Sequence, residues 1–314
     1  MSTSASPAAL ALQRARSGWW LAALSAVLFS AKAILVKLAF RHGVDATTFL
    51  AQRMLLSMPV FALVLAWLLW RDPAQPPISA RDGGLIILAG LLGYYAASLL
   101  DFMGLAYISA GLERLILFTY PSLVLLGTCL LCRQWPAGRA LGALALSYLG
   151  LLLVFGREVV LEGPHVVLGA SLVLASSFCY ALYLMLSGRL LKRLGTLRVT
   201  ALATLVSGGA ILLQVVLSQP WSLLRDQPLA VWQLSVCNAL FCTVLPVFAG
   251  MAAIARIGAS RVAQIGMLGP LVTIGLGAVL LGEPFTQWHV AGTLLVLGGA
   301  YLLGRVPGKV QAES

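Results

Sequence analysis

The feature that most constrains this chain is a succession of long apolar stretches. A helix that crosses a bilayer needs about 20 mostly apolar residues. Ten segments qualify, near 19–39, 46–70, 84–107, 112–132, 140–156, 168–187, 199–217, 230–254, 262–281 and 288–304. Of 314 residues, 60% are hydrophobic and only 10% are charged. Ordinary soluble domains carry about 25% charged residues. With a mean hydropathy of +0.96, lipid is the main solvent. The fold class expected is an all-α membrane protein of ten transmembrane helices.

The connecting segments hold the breakers. These are Arg71-Asp72-Pro73 through Pro76-Pro77, Trp135-Pro136, Gly163-Pro164, Gln219-Pro220 and Glu283-Pro284. Residues 1–17 read as a disordered N-terminus and 306–314 as a cytoplasmic tail. Arg14 and Arg16 precede an apolar run, as in a signal peptide. That run is too long, contains Lys32 and Lys37, and has nine followers, so it reads as a retained first helix.

The formal net charge is +11. In a soluble chain such an excess suggests nucleic acid; here it tracks the loops. With the N-terminus inside, fourteen Lys and Arg fall on the cytoplasmic side, from Arg14 and Arg16 to Arg305 and Lys309. Only Arg41, Arg114, Arg157 and Arg225 fall outside. Positive charge concentrates in cytoplasmic loops, so both termini are expected in the cytoplasm. Glu158, Glu162, Asp226 and Glu283 then lie outside, with His42, His165 and His289 at or near that face as solvated loop residues. No metal site is expected. The five cysteines all sit in apolar segments, and Cys129 and Cys132 read as packing residues.

The chain repeats itself. Pro121 and Pro270 stand 149 residues apart, as do Gly150 and Gly299. Gly111 and Gly258, each opening a similar stretch, differ by 147, which demands a two-residue slip. The expected halves are 18–156 and 157–305. Five helices per half put the second half upside down relative to the first. Inverted repeats around a central site are a recurring design of secondary transporters.

Local stretches carry a resemblance. Ala31-Lys32-Ala33-Ile34-Leu35-Val36-Lys37-Leu38 ends the first span, and Phe49-Leu50-Ala51-Gln52-Arg53 lies in the second. The Gly111–Pro121 stretch and the run from Gly258 through Pro270 to Leu281-Gly282-Glu283 close the two halves. With the five-plus-five layout, the chain resembles the drug/metabolite transporter superfamily, and within it the EamA-type permeases. The first half departs from the pattern, with Arg133-Gln134 where the second has Gly282-Glu283. The resemblance implies passage of small metabolites through a central cavity lined by both halves.

Ionisable residues inside spans are costly and usually functional. Lys32, Arg53 and Asp101 each lie six or seven residues from the outer ends of their helices. At 1.5 Å per residue that is roughly 10 Å, so the three can meet at one level. Asp101 could pair with Arg53 or Lys32, bind a substrate amine, or carry a proton. Lys32 is the expected cation for a substrate carboxylate.

Polar faces extend the pathway. Tyr94, Ser98 and Asp101 share a face of the third span, Ser176, Tyr180, Tyr183 and Ser187 one of the sixth, and Asn238, Cys242 and Pro246 one of the eighth. Tyr183 is also a candidate interfacial anchor. Arg114, Phe118 and Gln264 complete the expected substrate pathway. Small residues at Gly90, Gly93 and Ala97, at Gly138 and Gly142, and at Gly266, Gly269, Thr273 and Gly277 read as helix-packing stripes.

No zinc-binding HExxH, nucleophile elbow or phosphate loop is present, so the chain is not read as an enzyme and no cofactor is expected. The reading is a secondary transporter, more an exporter, of a small organic metabolite or amino-acid-like solute. A bacterial inner membrane is its expected place. A channel and a membrane scaffold or enzyme without transport remain the alternatives.

Overall fold

The structure, a computed structural model, describes residues 7–72, 75–133, 135–218 and 220–304. The expected tail over 306–314 lies outside them. Among the described residues, nine helices are long and apolar enough to cross a bilayer. They are α1 (Ala15–Phe40), α2 (Ala46–Arg71), α3 (Ala80–Leu105), α4 (Ala110–Leu131), α5 (Gly138–Glu162), α6 (His165–Leu194), α7 (Thr196–Ser218), α8 (Leu229–Ile257) and α9 (Arg261–Leu281). A tenth, α10 (Gln287–Gly304), has 18 residues and carries Gln287 and His289 in its first turn. A short helix, Trp221–Arg225, joins α7 to α8.

Helix starts are set by side chains that satisfy otherwise unpaired N–H groups. Asp45 accepts the Thr48 N–H at 2.9 Å. Ser79 and Asp82 form a reciprocal capping box ahead of α3. Ser109 accepts the Leu112 N–H at 2.9 Å ahead of α4.

Two expectations about extent need correction. Of the stretch 1–17, which the sequence predicts to be disordered, residues 7–17 are helical, and residues 1–6 lie outside the described residues. The fifth span runs to Glu162 rather than 156, because Arg157, Glu158 and Glu162 continue its last turns until Gly163 stops it at φ +90°. Glu158 is buried there, 2% exposed, and is no loop residue.

The repeat is sharper in the fold than in the sequence. Ala80 and Leu229, Ala110 and Ala259, Tyr120 and Gly269, and Gly138 and Gln287 each open a helical segment, and each pair stands 149 residues apart. Gly258 therefore matches Ser109, not Gly111, and the two-residue slip disappears. Arg133 and Gly282, also 149 apart, both take positive φ, +50° and +71°. Single π-helical stretches interrupt α3 at Gly90–Ala96 and α8 at Leu240–Val244, again in register. In α8 the cause is local. Pro246 has no N–H for the Cys242 carbonyl, and the Thr243 hydroxyl turns back to donate to the Asn238 carbonyl at 3.1 Å.

Packing between the halves obeys the same symmetry. α1 lies on α8, α3 on α6, α2 on α7, α4 on α9 and α5 on α10. Within the last pair, a Cβ added at Gly150 would meet the Gly292 carbonyl, and one at Gly299 would meet the Ala143 carbonyl. Adding 149 to Gly150 and Ala143 gives Gly299 and Gly292, so the contact is isologous, as at a two-fold axis. The α5 stripe lies elsewhere than the sequence predicts: Gly138 and Gly142 have nothing near them, and the close approach is made by Gly150.

This contact sets one expected result. Gly299→Ala puts a methyl about 2.5 Å from the Ala143 carbonyl, which is backbone and has nowhere to move. Such overpacking costs roughly 1–3 kcal/mol. Thermal unfolding in detergent should shift down clearly for Gly299→Ala. It should barely move for Gly156→Ala, whose new methyl meets nothing within 4 Å. Equal midpoints for the two variants would refute the close contact.

Candidate functional site

The charged side chains of the first half converge beside the interface between halves. α1 is broken at Ala31, between Ser30 and Lys32. The break is bound from the second half: Thr273 on α9 donates to the Ser30 carbonyl at 3.1 Å, and Asn238 on α8 donates to the Lys32 carbonyl at 3.3 Å. Lys32 Nζ lies 2.5 Å from Asp101 Oδ2 and 3.3 Å from Glu113 Oε1. Both carboxylates are buried, and one ammonium serves the two. Asp101 Oδ1 and Glu113 Oε2 have no hydrogen-bond partner.

Arg53 sits beside this cluster without joining it. Its Nη2 donates to Ser98 Oγ at 3.1 Å, and its guanidinium stacks 4.8 Å from the Phe102 ring centroid. Lys32, Arg53, Ser98 and Asp101 are thus brought to one level, with Asp101 paired to Lys32 rather than Arg53.

Sequence reasoning misses Glu113 and misplaces Arg114. With the fourth span expected from 112, both look like residues of the outer boundary. The structure starts α4 at Ala110 and breaks it at Phe118 and Thr119, ahead of Pro121. Arg114 therefore lies within a span-length helix, Ala110–Leu131, and not in a loop. Its Nη2 reaches Ser30 Oγ at 3.5 Å, its Nε is buried without a partner, and its guanidinium lies 5.9 Å from the Phe118 ring. The signal present in the sequence is Ser109, a helix-capping residue placed so that Glu113 and Arg114 fall in the first turns of a helix.

An aromatic wall adjoins the charges. The Tyr94 and Tyr183 rings meet edge to face at 5.3 Å, Tyr120 and Tyr180 do the same at 5.3 Å, and Tyr180 lies 5.6 Å from Tyr183. The Tyr94 and Tyr183 hydroxyls are 3.4 Å apart. Tyr183 is buried against Gly93, so it is not an interfacial anchor; glycine on α3 makes the room. Ser176 donates to the Ala97 carbonyl at 2.6 Å and ties α6 to α3. Asn238 is fully buried, with Oδ1 unpartnered. Gln264 is exposed on α9 and is not brought to the cluster.

A second polar network joins the halves at one end of the bundle. Lys37 Nζ lies 3.0 Å from Glu283 Oε1 and donates to the Ile108 carbonyl at 2.8 Å. The Glu283 carboxylate accepts the Ala110 N–H at 3.0 Å, and Arg41 donates to the Leu281 carbonyl at 2.5 Å. Glu158 accepts from the Ser109 hydroxyl and lies 3.6 Å from His289 Nε2, whose Nδ1 faces Thr286 Oγ1 at 2.8 Å. His289 is thus buried in this network and is no solvated loop residue. At the opposite end, Asp82 and Arg193 pair at 2.9 Å, and Arg193 is about half exposed.

Comparison with known proteins places this arrangement. The EamA-like transporter family matches residues 16–156 and 167–305, one copy per half. The chain belongs to the EamA-like transporter family. Among its curated relatives is the uncharacterized transporter YcbK of Bacillus subtilis, 32% identical over 90% of each chain. The probable amino-acid metabolite efflux pump of Salmonella typhimurium is 24% identical over 52% of this chain and 57% of that one. A solved crystal structure superimposes with a TM-score of 0.61 over 91% of this chain and 96% of its own, at 17% identity, and shows the shared fold. This EamA-like transporter is therefore a multi-pass membrane protein of two repeated halves.

The charges do not follow the repeat. The positions 149 residues beyond Asp101, Glu113 and Arg114 hold Gly250, Val262 and Ala263. The fold is duplicated, while the ionic centre belongs to one half.

Proposed function

We propose that this EamA-like transporter is a secondary transporter, working as an exporter, of a small organic metabolite or amino-acid-like solute by alternating access. The observation that carries this reading is the buried ionic centre at the junction of two repeated halves. A charge held at membrane depth costs about 2.5–3.5 kcal/mol on the insertion scale, and such residues mark solute paths. Breaks in α1, α4 and α9 lie around the centre, as in transporters whose sites form at discontinuous helices. The halves run in opposite senses across the membrane, with both termini in the cytoplasm. The solute path includes Lys32, Arg53, Tyr94, Ser98, Asp101, Arg114, Phe118, Ser176, Tyr180 and Asn238. The relative described as a probable amino-acid metabolite efflux pump supports the choice of solute class.

The test uses purified protein in proteoliposomes and a panel of labelled amino acids and organic acids. Saturable flux with counterflow is expected. Flux that never saturates would make the protein a channel, and no flux for any solute would make it a scaffold. Reporter tags at both termini should be active only in the cytoplasm. An external C-terminus would overturn the inverted arrangement.

A further inference from the structure

We propose that Arg114 is the anion-binding residue of this transporter and that its ligand carries a carboxylate. The inference deepens the transporter reading and rests on it for the solute's route. Five ionisable side chains lie at the centre or directly beside it: the cations Lys32, Arg53 and Arg114, and the carboxyl groups Asp101 and Glu113. The charges do not pair evenly. Both carboxylates turn to Lys32, at 2.5 and 3.3 Å. Neither guanidinium has a carboxylate within ion-pairing distance among the described residues. With Arg53 beside it, the cluster is left with at least one surplus positive charge even if both carboxyl groups are ionised, and that surplus calls for an anion.

Position decides between the two arginines. Arg53 is 5% exposed, hydrogen-bonds Ser98 and stacks on Phe102, all within the first half. Arg114 faces the second half. A Cβ built on Gly269 of α9 would stand 3.0 Å from Arg114 Nη2 and 3.3 Å from Ser30 Oγ. The Nε of both arginines lacks a partner, but Arg53 bonds Ser98 at 3.1 Å, while the one hydrogen bond of Arg114, to Ser30 Oγ at 3.5 Å, is at the outer limit for such a bond. Buried guanidinium groups are normally well supplied with acceptors, because each unmade bond costs the desolvation of the donor.

The surroundings suit a carboxylate. Guanidinium presents a planar fork that matches the two oxygens of a carboxylate. Gly269 opens the second segment of α9, Gly269–Leu276, and the start of a helix carries partial positive charge. Tyr120, six residues beyond Arg114 on α4, stacks with Tyr180 and offers an aromatic face. Lys32 is thereby relieved of the role expected from sequence: its charge is already spent on Asp101 and Glu113.

The test works with simple probe anions, whatever the physiological solute. Purified full-length protein in lipid nanodiscs is heated with acetate, benzoate or phenylacetate, each compared with its amide, and with benzylamine as the cation, at constant ionic strength in chloride. A ligand that binds the folded state raises its unfolding temperature with concentration. At least one carboxylate should stabilise the protein while its amide does not. Arg114→Gln should weaken that response by roughly tenfold or more, the loss of a charged hydrogen-bonding partner. Arg114→Lys should keep part of it. Gly269→Ala, which crowds the guanidinium without removing it, should weaken binding several-fold, and Arg225→Gln, at the exposed end of the short helix Trp221–Arg225, should not change it. No response to any carboxylate, equal response to acid and amide, or a response that survives Arg114→Gln would overturn the assignment. Stabilisation by benzylamine alone would do the same and point to Asp101 and Glu113. Carboxylate binding at Arg114 without flux in proteoliposomes would leave this site standing and remove the transporter reading instead.

Discussion

Lys32→Gln is expected to abolish solute flux and to lower the yield of folded protein more than loss of any other single charge. The reason is arithmetic at the centre of the bundle. Lys32 is the one ammonium against Asp101 and Glu113. Removing it leaves two carboxylates facing each other in a buried site. Breaking a buried pair costs about 3–5 kcal/mol, a large share of the roughly 5–15 kcal/mol that holds a typical domain folded. Asp101→Asn is milder for folding, because Lys32 keeps Glu113, and it should still remove flux. The triple variant Lys32→Met, Asp101→Asn, Glu113→Gln leaves no unpaired carboxylate and should recover part of the folded protein lost in Lys32→Gln, while flux stays absent. Monodisperse protein after detergent extraction measures the first quantity, and flux per folded molecule the second. Normal yield and normal flux in Lys32→Gln would remove the ionic centre from both folding and transport.

Lys37→Gln is expected to open one end of the bundle. Lys37 binds Glu283 across the halves, and Glu283 also holds the Ala110 N–H at the start of α4. Charged hydrogen bonds are worth about 1.5–3 kcal/mol each, and every 1.4 kcal/mol shifts a two-state population about tenfold. Ser30 lies behind this network and is fully buried. In a background without native cysteines, Ser30→Cys should react slowly with a membrane-impermeant thiol reagent. Adding Lys37→Gln should raise the rate about tenfold or more from the face that bears the network, and not from the other. Unchanged rates at both faces would mean that the network does not control access.

Much of this fold is legible in the sequence because lipid imposes one strict rule. Every span must be long, apolar and helical, so length and hydropathy locate helices before any packing is known. The level of Lys32, Arg53 and Asp101 follows from the same geometry, since rise per residue converts position into depth. What stays hidden depends on where a helix bends or ends. Arg114 is counted both as an outer charge and as a pathway residue in the sequence, because it falls two residues inside the expected start of the fourth span at 112, and hydropathy alone does not say how deep that start lies. Glu158 looks solvated because the apolar run of the fifth span ends six residues before its helix does, and His289 because it stands in the first turn of α10. Glu113 escapes notice although it stands beside Arg114. The partner of Asp101 is open in the sequence because spacing sets height along a helix but not which neighbours face it. The packing stripe on α5 fails at Gly138 and Gly142 for a related reason. Small residues permit close approach, but which of them meets a partner is set by the crossing point of two helices, here at Gly150.

The two ends of the bundle are fastened unequally. At one end, buried and partly buried groups around Lys37, Glu283, Glu158 and His289 tie the halves together. At the other, Asp82 is paired with a half-exposed Arg193, a pair that contributes less for being partly open to solvent, and Arg193 and Arg198 donate to the Pro77 and Pro76 carbonyls. Under the proposed alternating-access mechanism, an empty carrier built this way is expected to rest facing the weaker fastening. A solute arriving from the tightly fastened side finds only a small fraction of molecules ready to receive it, and its half-saturation concentration there is raised by the inverse of that fraction. The unequal fastening cannot set the net direction of transport, which the gradients decide. It sets the concentration range over which each side of the membrane is heard.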